Sequence, residues 1–216
     1  MWQVFSQADA VGQALGTLLL TMSVATWVVI LWKSWLLRRA LHSLSRATAA
    51  FWLAPDLDEA ERRLTQADTA DLALPLLQAA RSLDAVAPGC LVRQGERGAQ
   101  LTRLLREALD ARRLRLQHGQ TLLASVATTA PFVGLLGTVW GVQHALSAVG
   151  LGEGFQIERV AGPVGEALLM TAAGLAVAIP AVLGHNALGR HIARLESELD
   201  GFAHDLREWF AAGGRT

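Results

Sequence analysis

The chain carries one cysteine, Cys90, in 216 residues. It can form no intramolecular disulfide and no cysteine-rich metal site, and the lone thiol is assigned no role. Charge is scarce too. Asp, Glu, Lys and Arg make up 18% of the residues against 52% hydrophobic, and the formal net charge is zero. A soluble domain of this size needs a larger charged surface, and a neutral chain gives no global electrostatic case for nucleic acid. The six histidines show no metal-ligand spacing, and His185 and His191 stand six apart, off one helix face. No G-x-S-x-G or H-E-x-x-H occurs, so an intramembrane hydrolase would lack its activated nucleophile and base. No strand pattern or internal repeat is present, and only the Gly213-Gly214-Arg215-Thr216 tail is of low complexity. The reading is of a non-enzyme with no metal and no cofactor.

What is present is apolar length. Residues 121–150 and 161–186 contain no Lys or Arg, and their only acid is Glu166. Each run exceeds the roughly 20 residues needed to cross a bilayer core. A third apolar stretch covers residues 11–37. No basic region precedes it and no cleavage pattern follows, so it reads as an uncleaved signal anchor. Trp32 and Trp35 fit an interfacial aromatic belt at its far end. The expected fold is an all-α membrane protein with transmembrane helices over 11–37, 119–148 and 162–188. A short segment 1–10, a helical region 38–118, a loop 149–161 and a helix 189–216 complete it.

Orientation follows from arginine. Thirteen arginines lie between Arg38 and Arg115, whereas Arg159 is alone in the loop 147–161. The charges that count are those beside span ends: Lys33, Arg38 and Arg39, then Arg112, Arg113 and Arg115, then Arg190 and Arg194. Segments 38–118 and 189–216 are therefore expected in the cytoplasm, and the N-terminus on the outer side of the membrane. An impermeant thiol reagent is expected to leave Cys90 unlabelled in intact cells and to label it in inverted vesicles. Labelling of intact cells would reverse the topology.

The cytoplasmic part reads as helical. Pro55-Asp56-Leu57-Asp58-Glu59 has the form of a helix start, with Pro near the first position and acids in the first turn. Pro75 and Pro88-Gly89 punctuate later helices. From about Leu91 to Leu116 no proline intervenes. Leu101, Leu105, Ala108 and Leu109 mark one face of a helix expected to run on into the second span. Leu188, Ile192, Leu195, Leu199, Phe202, Leu206 and Trp209 recur at spacings of four and three. That heptad-type seam seeks a partner helix, in this chain or in a neighbouring subunit.

Polar residues inside the spans are the candidate site. Thr138 and Thr171 sit mid-span, and Ser125, Thr128 and Thr129 would extend a polar stripe, though Thr129 and Thr138 point to opposite sides. A buried threonine either bonds its own i−4 carbonyl or helps to line a path for water or a proton carrier. The residues alone leave both open. Glu166 lies about one turn into the third span. A charged side chain in hydrocarbon costs about 2.5–3.5 kcal/mol on insertion scales, so it is a functional candidate by default. The alternative is an interfacial carboxylate that snorkels or bonds a neighbouring helix. Glu166 and Thr171 are about 140° apart around a helix, so they share no narrow stripe. Gly137-x-x-x-Gly141 is a small-xxx-small pattern, and Gly134, Gly174 and Gly184 add close-approach positions. Pro131 and Pro180 suggest local bends.

Two long stretches carry a resemblance. Residues 129–141 read Thr-Ala-Pro-Phe-Val-Gly-Leu-Leu-Gly-Thr-Val-Trp-Gly, and residues 160–175 run from Val160 through Glu166 and Thr171 to Leu175, followed by Ala178-Ile179-Pro180-Ala181-Val182. They resemble the signature of the MotA/TolQ/ExbB proton-channel family, in its ExbB branch. The family pattern A-P-G-I-A-E-A-L appears here as Ala161-Gly162-Pro163-Val164-Gly165-Glu166-Ala167-Leu168. The resemblance implies a homo-oligomeric ring, a pentamer, whose second and third spans line a lumen. It implies an ExbD-type single-span partner whose aspartate carries the proton, and a TonB-type protein that receives the motion and drives uptake across the outer membrane. It assigns Thr138 and Thr171 to polar lumen positions, and gives Glu166 as a family carboxylate. The alternative is a TolQ-like subunit energising a TolA-type constriction system.

Overall fold

The structure, a computed structural model, describes residues 10–85, 96–149 and 157–213. The short segment expected before residue 10, Pro88-Gly89, Cys90, most of the loop over 149–161 and the last three residues lie outside the described residues. Six helices occur among the described residues, and no strand. They are α1 (Ala10–Trp52), α2 (Leu57–Ala67), α3 (Leu74–Ala85), α4 (Arg97–Gln117), α5 (Gln120–Val149) and α6 (Ile157–Ala211). Three of them, α1, α5 and α6, are long and apolar enough to cross a membrane, with mean hydropathy of 2.1, 1.7 and 2.1 over their most apolar windows. The all-α membrane fold expected from the sequence is therefore present.

The chain divides into two units, 1–33 with 119–187 and 34–118 with 188–216. In the first, the described core is small: Leu19 from α1, Val126 and Ala130 from α5, and Val177, Ala178 and Ala181 from α6, flanked by Met22, Ala127 and Val133. Alanine is frequent here because helix association in lipid gains nothing from the hydrophobic effect and relies on close packing. The surface is the reverse. Phe132, Leu135, Leu136 and Val139 on α5, and Leu168, Leu169, Ile179 and Leu183 on α6, are exposed.

In the second unit apolar residues turn inward. Leu188, Ile192, Leu195, Leu199, Phe202 and Leu206 are all buried within the single chain. On α1, Leu37, Ala40, Leu44, Ala47 and Phe51 are buried at the same alternating spacing. Phe51 meets Phe202 edge to face at 5.3 Å. The seam that sought a partner thus finds one in its own subunit. Polar contacts set α4 antiparallel to the end of α6: Arg97 Nε donates to the Phe210 carbonyl at 3.0 Å and Arg113 donates to both Asp200 oxygens at 2.9 and 2.8 Å.

Two sequence expectations need correction. Pro55 is not at the first helical position of α2. Asp56 is the N-cap, its side chain accepting from the Glu59 amide at 2.7 Å, and Pro55 precedes it. Nor does α4 continue into α5. It ends at Gln117, and Gly119 adopts a φ of 88° before α5 begins. That left-handed conformation is cheap only for glycine and stops a helix. Lys33, placed on the basic flank by its position, is buried.

The sequence reading passed over Asp68. Its buried carboxylate Oδ2 accepts from the amides of Ala73 at 2.7 Å and Leu74 at 3.0 Å. It thereby caps the start of α3, where Pro75 in the first turn has no amide to satisfy.

Candidate functional site: the seam between α5 and α6

The glycines fix how closely α5 and α6 approach. A Cβ at Gly134 would lie 2.7 Å from the Met170 carbonyl oxygen and 3.1 Å from Thr171 Cα. One at Gly174 would lie 2.6 Å from the Ala130 oxygen and 3.1 Å from Gly134 Cα. At Gly137 it would meet Met170 Cβ at 2.9 Å, and at Gly141 it would meet Ala167 Cβ at 2.8 Å. All four therefore face the other span of the same chain, a partner the small-xxx-small pattern alone does not name. Gly184 does the same toward α1, where Ile30 Cδ1 would be 2.5 Å away. The neighbours at Gly134 and Gly174 are backbone atoms, which cannot rotate aside.

This tight crossing brings the two mid-span threonines to adjacent turns. Thr171 Cα abuts Gly134, and Thr138 follows Gly134 by one turn on α5. Thr138 also lines an open groove of about 730 Å³, together with Val139, Val142, Gln143, Leu146 and Ser147 of α5 and Leu168 of α6. Leu168 is one turn from Thr171 on the same side of α6. The groove wall is mainly hydrocarbon, with Thr138, Gln143 and Ser147 as its polar points.

The hydroxyls differ in what they already do. Thr138 Oγ1 donates to the Leu135 carbonyl at 2.7 Å. Thr128 donates to the Ala124 and Ser125 carbonyls, each at 3.0 Å, and Thr129 to the Ser125 carbonyl at 2.7 Å. These three are satisfied by their own helix, as mid-helix threonines commonly are. Thr171 makes no side-chain hydrogen bond among the described residues, nor does the Ser125 hydroxyl. Glu166 is half-buried on α6, on the helix face of Gly184, which meets Ile30 of α1, and about 140° around the helix from Thr171. It has no ion pair among the described residues. No group of three or more His, Cys, Asp or Glu side chains there could hold a metal ion.

Sequence reasoning weighs His185 only as a metal ligand and passes over Thr26 and Gln120. His185 Nδ1 lies 3.3 Å from the Gln120 carbonyl oxygen. Thr26, 1% exposed, and the Gln120 amide nitrogen are buried without hydrogen-bond partners among the described residues. A hydroxyl mid-span is the only signal Thr26 gives, and many lipid-facing threonines share it. The groove residues Val142 and Leu146 give no signal, since an apolar residue in a span has no distinguishing chemistry.

Comparison with known proteins draws on both stretches. The profile of the MotA/TolQ/ExbB proton channel family matches residues 69–201. A biopolymer transport protein ExbB of Xanthomonas campestris is 42% identical over 205 residues, covering 92% of this chain and 81% of that protein. An ExbB of Neisseria meningitidis is 37% identical, covering 94% of this chain and 93% of its own length. The Tol-Pal system protein TolQ of Haemophilus influenzae is 28% identical, over 94% and 90%. With three membrane-length helices and a threonine-bearing seam between the second and third, the chain belongs to the MotA/TolQ/ExbB proton channel family.

Proposed function

We propose that this chain is the inner-membrane proton-channel subunit of a motor that energises transport across the outer membrane. Its copies form a pentameric ring around an ExbD-type single-span protein carrying an aspartate, and a TonB-type protein receives the motion. The observation that carries this reading is a deficit. Across the three spans Glu166 is the only carboxylate, whereas a proton path needs a titratable group along its length. Glu166 stands near one end, so a partner must supply the group in the middle.

The threonines then act on that partner group. Thr171 has a hydroxyl uncommitted to its own helix, and Thr138, one turn beyond the Gly134 that Thr171 abuts, lines an apolar groove. An ionised aspartate facing them has a hydrogen-bond donor to settle on. Once protonated, it loses its charge and with it the cost of facing hydrocarbon, and the partner helix is free to turn or shift. The membrane potential contributes about 2.3 kcal/mol per charge per 100 mV to each entry. Identities of 42% and 37% to ExbB proteins against 28% to a TolQ favour uptake over envelope constriction.

The test compares Thr171→Val with Thr171→Ser. A hydrogen bond to a charged group contributes about 1.5–3 kcal/mol. Thr171→Val is therefore expected to cut siderophore-dependent growth under iron limitation and proton flux in reconstituted vesicles by about tenfold or more. Thr171→Ser keeps the hydroxyl and should retain most of both. Equal flux in Thr171→Val at equal protein level would remove the hydroxyl from the path and the mechanism with it.

A further inference from the structure

The arginines of the second unit differ in what they contact. Away from α1 several have carboxylate partners: Arg62 and Arg63 with Glu59, Arg81 with Asp58 and Glu61, Arg112 and Arg115 with Asp71, Arg113 with Asp200, and Arg194 with Glu198, whereas Arg97 and Arg207 reach backbone carbonyls. On α1 the pattern changes. The helix contains Lys33, Arg38, Arg39 and Arg46 but no Asp or Glu over its 43 residues. Arg38 and Arg39 are exposed and have no ion pair among the described residues. Arg39 instead lays its guanidinium over the Trp35 ring, 5.6 Å from the centroid. Arg46 bonds only a backbone carbonyl, that of His42, at 3.1 Å.

These residues share one face. Trp35, Arg38, Arg39, His42 and Arg46 follow each other at spacings of three, one, three and four, within a stripe of about 100°. Toward the N-terminus the same periodicity selects Val28, Leu31 and Trp32, all exposed. The face thus changes from hydrocarbon to cation within one turn, with Trp32 at 56% and Trp35 at 60% exposure marking the change. Tryptophan favours the level of lipid headgroups. A guanidinium offers a planar fork of donors that fits a phosphate, and stacking on Trp35 holds that fork in place.

We propose that this face binds an anionic phospholipid, its phosphodiester on Arg38 and Arg39 and its acyl chains along Leu31 and Val28. Charge complementarity and the apolar-to-cationic change favour a lipid over a second protein. A protein helix would have to bring its own carboxylates to one end of an otherwise greasy stripe. A soluble anion would use the arginines and leave the tryptophans and the apolar half without purpose.

The test uses the full chain purified in mild detergent. Retained lipid is counted by native mass spectrometry after incubation with phosphatidylglycerol or phosphatidylcholine. Phosphatidylglycerol is expected to be retained in preference, and Arg38→Gln and Arg39→Gln each to lower its retention about fivefold. The double change Arg38→Lys with Arg39→Lys should keep much of the preference, and Arg62→Gln on α2 should keep all of it. Melting curves of each variant separate lost binding from lost folding. Equal retention of both lipids would overturn the proposal, as would a preference unchanged in Arg38→Gln and Arg39→Gln. Displacement by glycerol phosphate at matched concentration would reassign the site to soluble phosphates, and occupation by a second copy of the chain would reassign it to assembly. Neither outcome touches proton flux, so this test and that of Thr171 fail separately.

Discussion

Replacing Gly174 by alanine is expected to lower the thermal stability of the purified chain by about 1–3 kcal/mol, the range of core overpacking. Alanine is the better helix former by about 0.5–1 kcal/mol, so propensity alone predicts the opposite. The added Cβ would sit 2.6 Å from the Ala130 oxygen and 3.1 Å from Gly134 Cα. Both are backbone, so α5 and α6 must separate to admit it, and every contact along the crossing weakens together. Gly201 on the same helix is the control, because a Cβ there meets nothing within 4 Å. Gly201→Ala should leave the melting temperature unchanged or raise it. A Gly174→Ala variant that melts at or above the parent would show that the helices do not cross as described.

The second large effect concerns the far end of α6. Leu195 is fully buried, at 0% exposure, inside one chain. Leu195→Ala is expected to cost about 2–5 kcal/mol, the transfer of the lost methyl groups plus the cavity they leave. The informative measurement compares single chains in detergent with the ring proposed above, each followed by circular dichroism. A cost that survives dissociation belongs to packing within the subunit. A cost found only in the assembled form would place the seam between subunits.

Much of the fold was legible for simple reasons. Runs without Lys or Arg mark spans because a lone charge in hydrocarbon is costly, and the α6 seam is visible because burial on one helix face leaves a 3–4 period. Period says that a face is covered, not by what. Whether Leu195 meets α1, α4 or another subunit depends on contacts far apart in sequence. The same holds for Gly137 and Gly141, whose partners Met170 and Ala167 come from the next span. The end of α4 was readable in principle, since His118-Gly119 has the form of a helix stop, but the long proline-free run masked it. At the candidate site, Thr138 and Thr171 look alike in sequence. Their difference, one hydroxyl bonded to Leu135 and one not, arises from rotamer and packing. Asp68 was overlooked because an acid between short helices usually stays in water, whereas here two amides hold it inside.

The back-bonded hydroxyls of α5 bear on how the protein is made. Thr128, Thr129 and Thr138 each spend their proton on a carbonyl three or four residues earlier. Such bonds need only the helix itself, so they form as soon as the segment coils. A hydroxyl satisfied in this way presents mainly its methyl group to the surroundings. During biogenesis α5 can therefore leave the translocon for lipid at less cost than its residue types suggest, before α6 has been synthesised to cover it.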